Sequence, residues 1–141
     1  MTLNGLDCTE YVNGLKNLSQ SEQRIKVAYS QDFITNLLRD KHTDFEWKME
    51  HKLSEKSDSI DIYGNRNNEI IIIELDKWRA DQVAKKLISR TALMIDKKIE
   101  FISLCYAGTD RISKPECLKF FRCGNIIQLK LNNYYSCMVI E

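Results

Sequence analysis

Residues 59–76 read SIDIYGNRNNEIIIIELD, a pattern that predicts a β-hairpin. Asn67 and Asn68 suit a two-residue turn, because asparagine tolerates the left-handed backbone that tight hairpin turns require. The register set by this turn pairs Arg66 with Glu69, so opposite charges face each other beside the turn. The four consecutive isoleucines at 70–73 indicate that the second strand is buried on both faces and central in its sheet.

Three carboxylates meet at the far end of this hairpin. The register places Asp61 opposite Glu74, and side-chain alternation puts Asp76 on the same face as Glu74. Two opposed carboxylates, with Cβ atoms ~5 Å apart, repel by roughly 3 kcal/mol at an effective dielectric of about 20. A bound proton or a divalent cation with oxygen ligands would relieve that repulsion. The alternative is that these acids are solvated residues at a strand end, but acids that end a central strand favour a functional site.

Composition limits the class of protein. With 141 residues, one proline and 43% hydrophobic residues, the chain suits a single domain over residues 1–141. Lysine plus arginine (21) nearly balance aspartate plus glutamate (20), so no global field favours nucleic acid or an anionic membrane. The five cysteines are odd in number and lack a CxxC pair, which favours reduced thiols over a disulfide framework or a zinc site. No leader or membrane-spanning segment is recognisable, so we expect a cytoplasmic protein without membrane contact.

The periodicity of apolar residues gives the order α, β, β, β, α, β, α, β, β. This order predicts an α/β fold, with a mixed central β-sheet flanked by helices and a crossover helix over residues 79–95. Leu6, Val12, Leu15 and Leu18 suit a short helix before this core. The remaining predicted elements are a helix from 19 to about 39 that opens with a capping box, strands at 45–53, 100–107, 125–131 and 134–140, and a short helix started by Pro115.

The helix, the three strands with these acids and the crossover helix together resemble the restriction-endonuclease-like PD-(D/E)XK nuclease superfamily. The resemblance covers about residues 19–131. Asp61 matches the acid that opens the family motif, Glu74 matches the second acid, and Asp76 stands where the family usually has lysine. Gln82 resembles a polar residue of the crossover helix, and Glu22 resembles an additional metal-binding glutamate of some branches.

The sequence departs from the family pattern at two points. It has no Pro-Asp dipeptide, and Asp58 competes for the role of first acid. Asp76 cannot supply the cation of the usual lysine, although it could ligate a second ion or hold a metal-bound water. Lys85 or Lys86 could supply the positive group from the next helix. Lys77 is a poorer substitute, because it follows Asp76 directly and points to the opposite face.

The resemblance implies a Mg²⁺-dependent DNA nuclease of restriction, repair or junction-resolving type. Its three acids would hold one or two Mg²⁺ or Mn²⁺ ions, and a homodimer would let two active sites cut two strands. Gln82 and Lys86 would join the acids in catalysis. The predicted contacts with DNA phosphates are Lys85, Lys86 and Arg90.

Two other classes of protein stay open at this point. A non-catalytic nucleic-acid-binding or assembly protein could share the fold after losing turnover together with the lysine. An unrelated α/β binding domain would show no convergence of Asp61 and Glu74. Lys85 and Lys86 would then belong to an ordinary solvated helix face.

Overall fold

A computed structural model describes residues 14–77, 79–106 and 114–140 of the chain. Its centre is a five-stranded sheet in the order β1-β2-β3-β4-β5. The first three strands are antiparallel neighbours, whereas β3, β4 and β5 run parallel. The strands are β1 Glu46–His51, β2 Ile60–Arg66, β3 Glu69–Lys77, β4 Lys98–Tyr106 and β5 Tyr134–Ile140.

Three helices flank this mixed sheet: α1 Gln20–Lys41, α2 Ala80–Ala92 and α3 Lys114–Lys130. A short 3₁₀ turn at Leu15–Asn17 precedes α1. The predicted capping box is present, since Ser19 and Glu22 exchange hydrogen bonds at the start of α1. The prediction of an α/β fold with a mixed sheet between helices is confirmed. The part of the predicted first helix that precedes residue 14 lies outside the described residues.

Two apolar cores lie on opposite faces of the sheet. Ile34 and Leu38 of α1 pack against Ile71 and Ile73 on one face. The crossover helices α2 and α3 cover the other face, where Val83 and Leu87 pack with the remaining isoleucines of β3. The isoleucine run is buried on both sides, as its composition predicts, because helices cover both faces of a strand in parallel pairing.

The hairpin has the predicted register. Ile62 pairs with Ile73, and Arg66 pairs with Glu69 beside the turn. Asn67 adopts φ +52°, the left-handed conformation that the two-residue turn requires.

The prediction of a strand at 125–131 is wrong, because α3 continues to Lys130. The buried positions of the second half of this helix are Gly124 and Gln128, while Ile126 and Ile127 are exposed. Since the inward face carries a glycine and a glutamine, the apolar residues no longer follow a helical period. Gln128 is held inside by hydrogen bonds to Thr91 and Asn133.

The prediction that residues 45–53 form one strand with a single apolar face is also wrong. Phe45 and Trp47 belong to the core beside α1, but Leu53 packs against the core beside α2. The strand changes face at Glu50, whose φ of +50° breaks the alternation of side chains. Within the described residues, no helix is both long enough and apolar enough to cross a bilayer.

Candidate active site

The last residues of β3 deliver two carboxylates to the side of the sheet that α2 covers. Glu74 and Asp76 both accept hydrogen bonds from the Lys86 ammonium, at 2.9 Å and 2.6 Å from Nζ. Asp61, from β2, lies 4.0 Å from the same nitrogen. The structure therefore brings together the three predicted acids and one of the two predicted lysines.

Arg90, one helical turn after Lys86, completes what we call the ionic cluster: Asp61, Glu74, Asp76, Lys86 and Arg90. Its Nε lies 3.2 Å from Glu74 Oε1, and its second terminal nitrogen donates to the Ser59 carbonyl at 2.9 Å. Arg90 is buried, so its guanidinium faces the protein interior. This position suits holding Glu74 in place better than the predicted contact with a DNA phosphate.

Asp61 sits where β2 separates from β3. The last direct pair of the hairpin is Ile62 with Ile73, and beyond it Asp61 Oδ2 accepts the Leu75 backbone N–H at 2.7 Å. Ile60 and Ile62 lie in opposite cores, although side chains two residues apart share a face on a regular strand. The strand is thus distorted at Asp61, and Arg90 links the two strands there through its contacts with Ser59 and Glu74.

Hydrogen bonds among three polar side chains, Gln31, Glu50 and Ser59, stabilise this distortion from the side of the sheet that α1 covers. Gln31 of α1 donates to the Asp61 carbonyl at 2.7 Å and to the Glu50 carboxylate at 2.9 Å. Ser59 donates to the other oxygen of Glu50 at 2.5 Å. Glu50 itself has the left-handed backbone, which costs about 1–3 kcal/mol in a non-glycine residue and tends to occur near functional sites. Sequence reasoning missed all three, since none of them carries a motif.

Burial and mutual repulsion set the protonation of the cluster. Burial, followed by the nearby Glu74 carboxylate, raises the pKa of Asp61 to about 8, although Lys86 opposes the change. Burial also raises the pKa of Asp76. Burial alone would lower the pKa of Lys86, but the surrounding carboxylates, Asp76 foremost, outweigh it and hold that pKa above its ordinary value.

With Asp61 protonated, two carboxylates and two cations remain in the cluster, so its charges balance. Glu74 and Asp76 then face Lys86 and Arg90. Glu74 is fully buried, while the side chains of Asp76, Asp61 and Lys86 keep 12%, 20% and 22% of their surface exposed. Solvent, or a ligand, therefore reaches the cluster from the side of Asp61 and Lys86.

The donors of the cluster suit Mg²⁺, because carboxylate oxygens are the ligands that hard divalent cations prefer. Among residues 14–77, 79–106 and 114–140, however, no group of three or more histidine, cysteine, aspartate or glutamate side chains has the arrangement of a metal site. The Lys86 ammonium instead binds one oxygen each of Glu74 and Asp76, which an ion would need. Metal binding here requires the ammonium to withdraw.

Other residues considered from the sequence lie away from the cluster. Lys85 and Asp58, the competing candidate for the first acid, are both exposed and lie 3.9 Å apart. Gln82 makes its hydrogen bond with Asp81, although it lies one helical turn before Lys86 on the same side of α2. Glu22 serves the capping box of α1.

No protein-family model, no curated protein and no solved structure matches this chain.

Proposed function

We propose that this chain is a metal-dependent DNA nuclease that hydrolyses phosphodiester bonds. The observation that carries the proposal is the position of Lys86, which reaches three convergent acids from the crossover helix. The sequence lacks the lysine that nucleases of the PD-(D/E)XK type usually carry on β3, and Lys86 offers a cation at the same acids from another element. Asp76 is then free to act as an additional oxygen ligand.

The roles of the acids follow from their contacts. Asp61, Glu74 and Asp76 would hold Mg²⁺ or Mn²⁺ once the Lys86 ammonium moves away from their oxygens. The ion, when bound, lowers the pKa of a water and offsets charge that develops on the phosphoryl group. Lys86 is protonated beside the acids, because they raise its pKa, and its flexible stem would let the ammonium turn from them to a phosphate oxygen.

DNA would approach along the exposed side of α2. Lys85 is available for a phosphate there, and Gln82 would hydrogen-bond a phosphate oxygen or a water. A homodimer supplies two such sites for two strands, and the free thiols of the described cysteines suit the reducing cytoplasm.

One observation favours a second candidate, a non-catalytic nucleic-acid-binding or assembly protein. With Asp61 protonated, the ionic cluster is neutral and each of its carboxylates has a partner, so no unpaired charge is left for an ion to offset. A paired and balanced network of this kind can serve structure alone.

Cleavage assays with a matched pair of variants test the proposal. The wild type, Glu74→Gln and Glu69→Gln would be incubated with supercoiled, linear, single-stranded and branched DNA under Mg²⁺ or Mn²⁺. Glu69 is the control, because it lies on the same strand at the opposite end, paired with Arg66. We expect the wild type and Glu69→Gln to cleave and Glu74→Gln to be inactive while it still binds DNA.

The outcomes separate the two candidates. Circular dichroism must show that Glu74→Gln is folded, and Asp76→Asn provides a second variant if it is not. Full cleavage by a folded Glu74→Gln would contradict this active site. Binding of Mg²⁺ and DNA by the wild type without cleavage of any substrate would favour the non-catalytic protein.

A further inference from the structure

Among the residues that the structure describes, β5 forms one edge of the five-stranded sheet. Within the described part of the chain it pairs with β4 alone, and its seven residues, YYSCMVI, include no charge. An edge strand presents a row of backbone N–H and C=O groups that another strand can pair with. The open edge therefore specifies the kind of partner it fits, namely an extended strand.

The opposite edge strand, β1, has two features that oppose pairing with a further strand. Glu46, Lys48 and Glu50 are exposed along it, and Glu46 forms an ion pair with Lys48 at 2.9 Å. The left-handed backbone at Glu50 also interrupts the regular conformation of the strand. Charges and bulges are the devices by which proteins prevent unwanted strand pairing. The contrast between the two edges indicates that β5 is open for pairing.

The helix beside this edge extends the same surface with apolar side chains. Cys117, Phe121 and Gly124 of α3 face the sheet, whereas Leu118 and Leu129 lie roughly a quarter of a turn around the helix. They are on the side that overhangs β5, because their neighbours Arg122 and Asn125 line a cavity together with Tyr135, Ser136 and Cys137 of β5. Leu118 and Leu129 are both exposed.

We propose that a second copy of this chain binds at this edge. β5 pairs antiparallel with the β5 of the other copy about a two-fold axis, and Leu118 of each copy packs against Leu129 of the other. A two-fold contact needs a surface that complements itself, and an antiparallel pair of identical strands meets that condition. The proposal rests on the homodimer named above as part of the proposed function, but it does not depend on the cleavage reaction.

The size of the surface matches what a stable dimer requires. Seven residues of strand span about 23 Å, and the seventeen residues of α3 span about 25 Å. The strand and the helix that overhangs it form a strip roughly 20 Å high, because a helix layer packs about 10 Å from a sheet and is itself about 10 Å thick. Such a strip buries on the order of 500–800 Å² per copy, close to the standard interface of about 800 Å².

Sedimentation of the wild type and three lysine variants over a range of concentrations tests the interface. Leu129→Lys places a charge on the proposed surface, while Ile88→Lys on α2 and Ile25→Lys on α1 are matched controls elsewhere. The three side chains are 60%, 64% and 72% exposed, so each variant is expected to fold. We expect a wild-type dimer, unchanged association of both controls, and a dimer dissociation constant raised by roughly tenfold or more in Leu129→Lys.

Hydrogen exchange of the β5 amides gives a second readout that does not rely on a substitution. In the proposed dimer, protection of residues 134–140 increases with protein concentration, while β1 is unaffected. A monomer at every concentration would overturn the proposal, and so would a dimer that Ile88→Lys or Ile25→Lys disrupts while Leu129→Lys does not. Neither result depends on cleavage, so a failed nuclease assay leaves this interface intact.

Discussion

Replacing Asp61 with asparagine should change how stability depends on pH in the absence of metal. The pKa of Asp61 is raised from 3.8 to about 8 by burial and by Glu74. The folded state therefore holds a proton that the unfolded state releases above pH 3.8. Each pH unit between these two values costs the wild type up to about 1.4 kcal/mol, which amounts to at most about 4 kcal/mol between pH 5 and pH 8.

The direction of this effect follows from which state binds more protons. The stability contributed by protonated Asp61 is fully present below pH 3.8 and is lost as the pH rises through about 8. Asparagine keeps the shape and an oxygen for the Leu75 N–H, but it does not titrate. The variant should therefore gain stability relative to the wild type as the pH rises, by up to about 4 kcal/mol between pH 5 and pH 8.

Urea unfolding at several pH values with EDTA measures this difference. Asp58→Asn is the control, because Asp58 is an exposed acid of the same loop region whose pairing with Lys85 is screened by solvent. Its stability should follow that of the wild type at each pH. If Asp61→Asn also follows the wild type from pH 5 to pH 8, Asp61 is not buried and protonated as the ionic cluster requires.

Three further predictions concern residues around the cluster and the sheet. Lys86→Met should abolish cleavage and strengthen Mg²⁺ binding by roughly tenfold in calorimetry, because the ammonium no longer competes for the carboxylates, and unchanged affinity would contradict this competition. Glu50→Gly should leave the free energy of unfolding within about 1 kcal/mol of wild type, since relief of backbone strain offsets the lost hydrogen bonds, yet reduce cleavage because Asp61 loses its support. Gly64→Ala should destabilise by about 1–3 kcal/mol in urea unfolding, because the new Cβ would lie 2.6–2.9 Å from three atoms of the Trp47 ring.

The hairpin and the convergence of its acids could be predicted from the sequence, because both depend on local rules. An asparagine turn, one charge pair beside it and the parity of a strand are sufficient to bring Asp61 to the side of Glu74. The position of Lys86 beside these acids does not follow from the rules of the hairpin. It depends on how α2 is rotated against the sheet, which is set by packing of Val83 and Leu87.

The features that were missed depend on tertiary contacts. The second half of α3 was assigned to a strand because its buried positions are Gly124 and Gln128, so no apolar period marks the helix. A left-handed Glu50 has no sequence signal, since its backbone is held by Gln31 and Ser59 from elsewhere in the chain. Arg90 was assigned to the surface because buried arginines are uncommon unless they are paired.

Both cations of the cluster are carried by one helix, whereas all three acids belong to the sheet. Docking of α2 and completion of the site are therefore a single event. Arg79 provides no side-chain hydrogen bond to cap the start of this helix, so its first turn lacks one of the usual protections against fraying. Local opening of α2 would withdraw Lys86 and Arg90 together and leave the strands paired. The fraction of molecules with an assembled site is then set by the free energy of opening α2 alone. We expect activity to be lost at denaturant concentrations that leave the sheet folded.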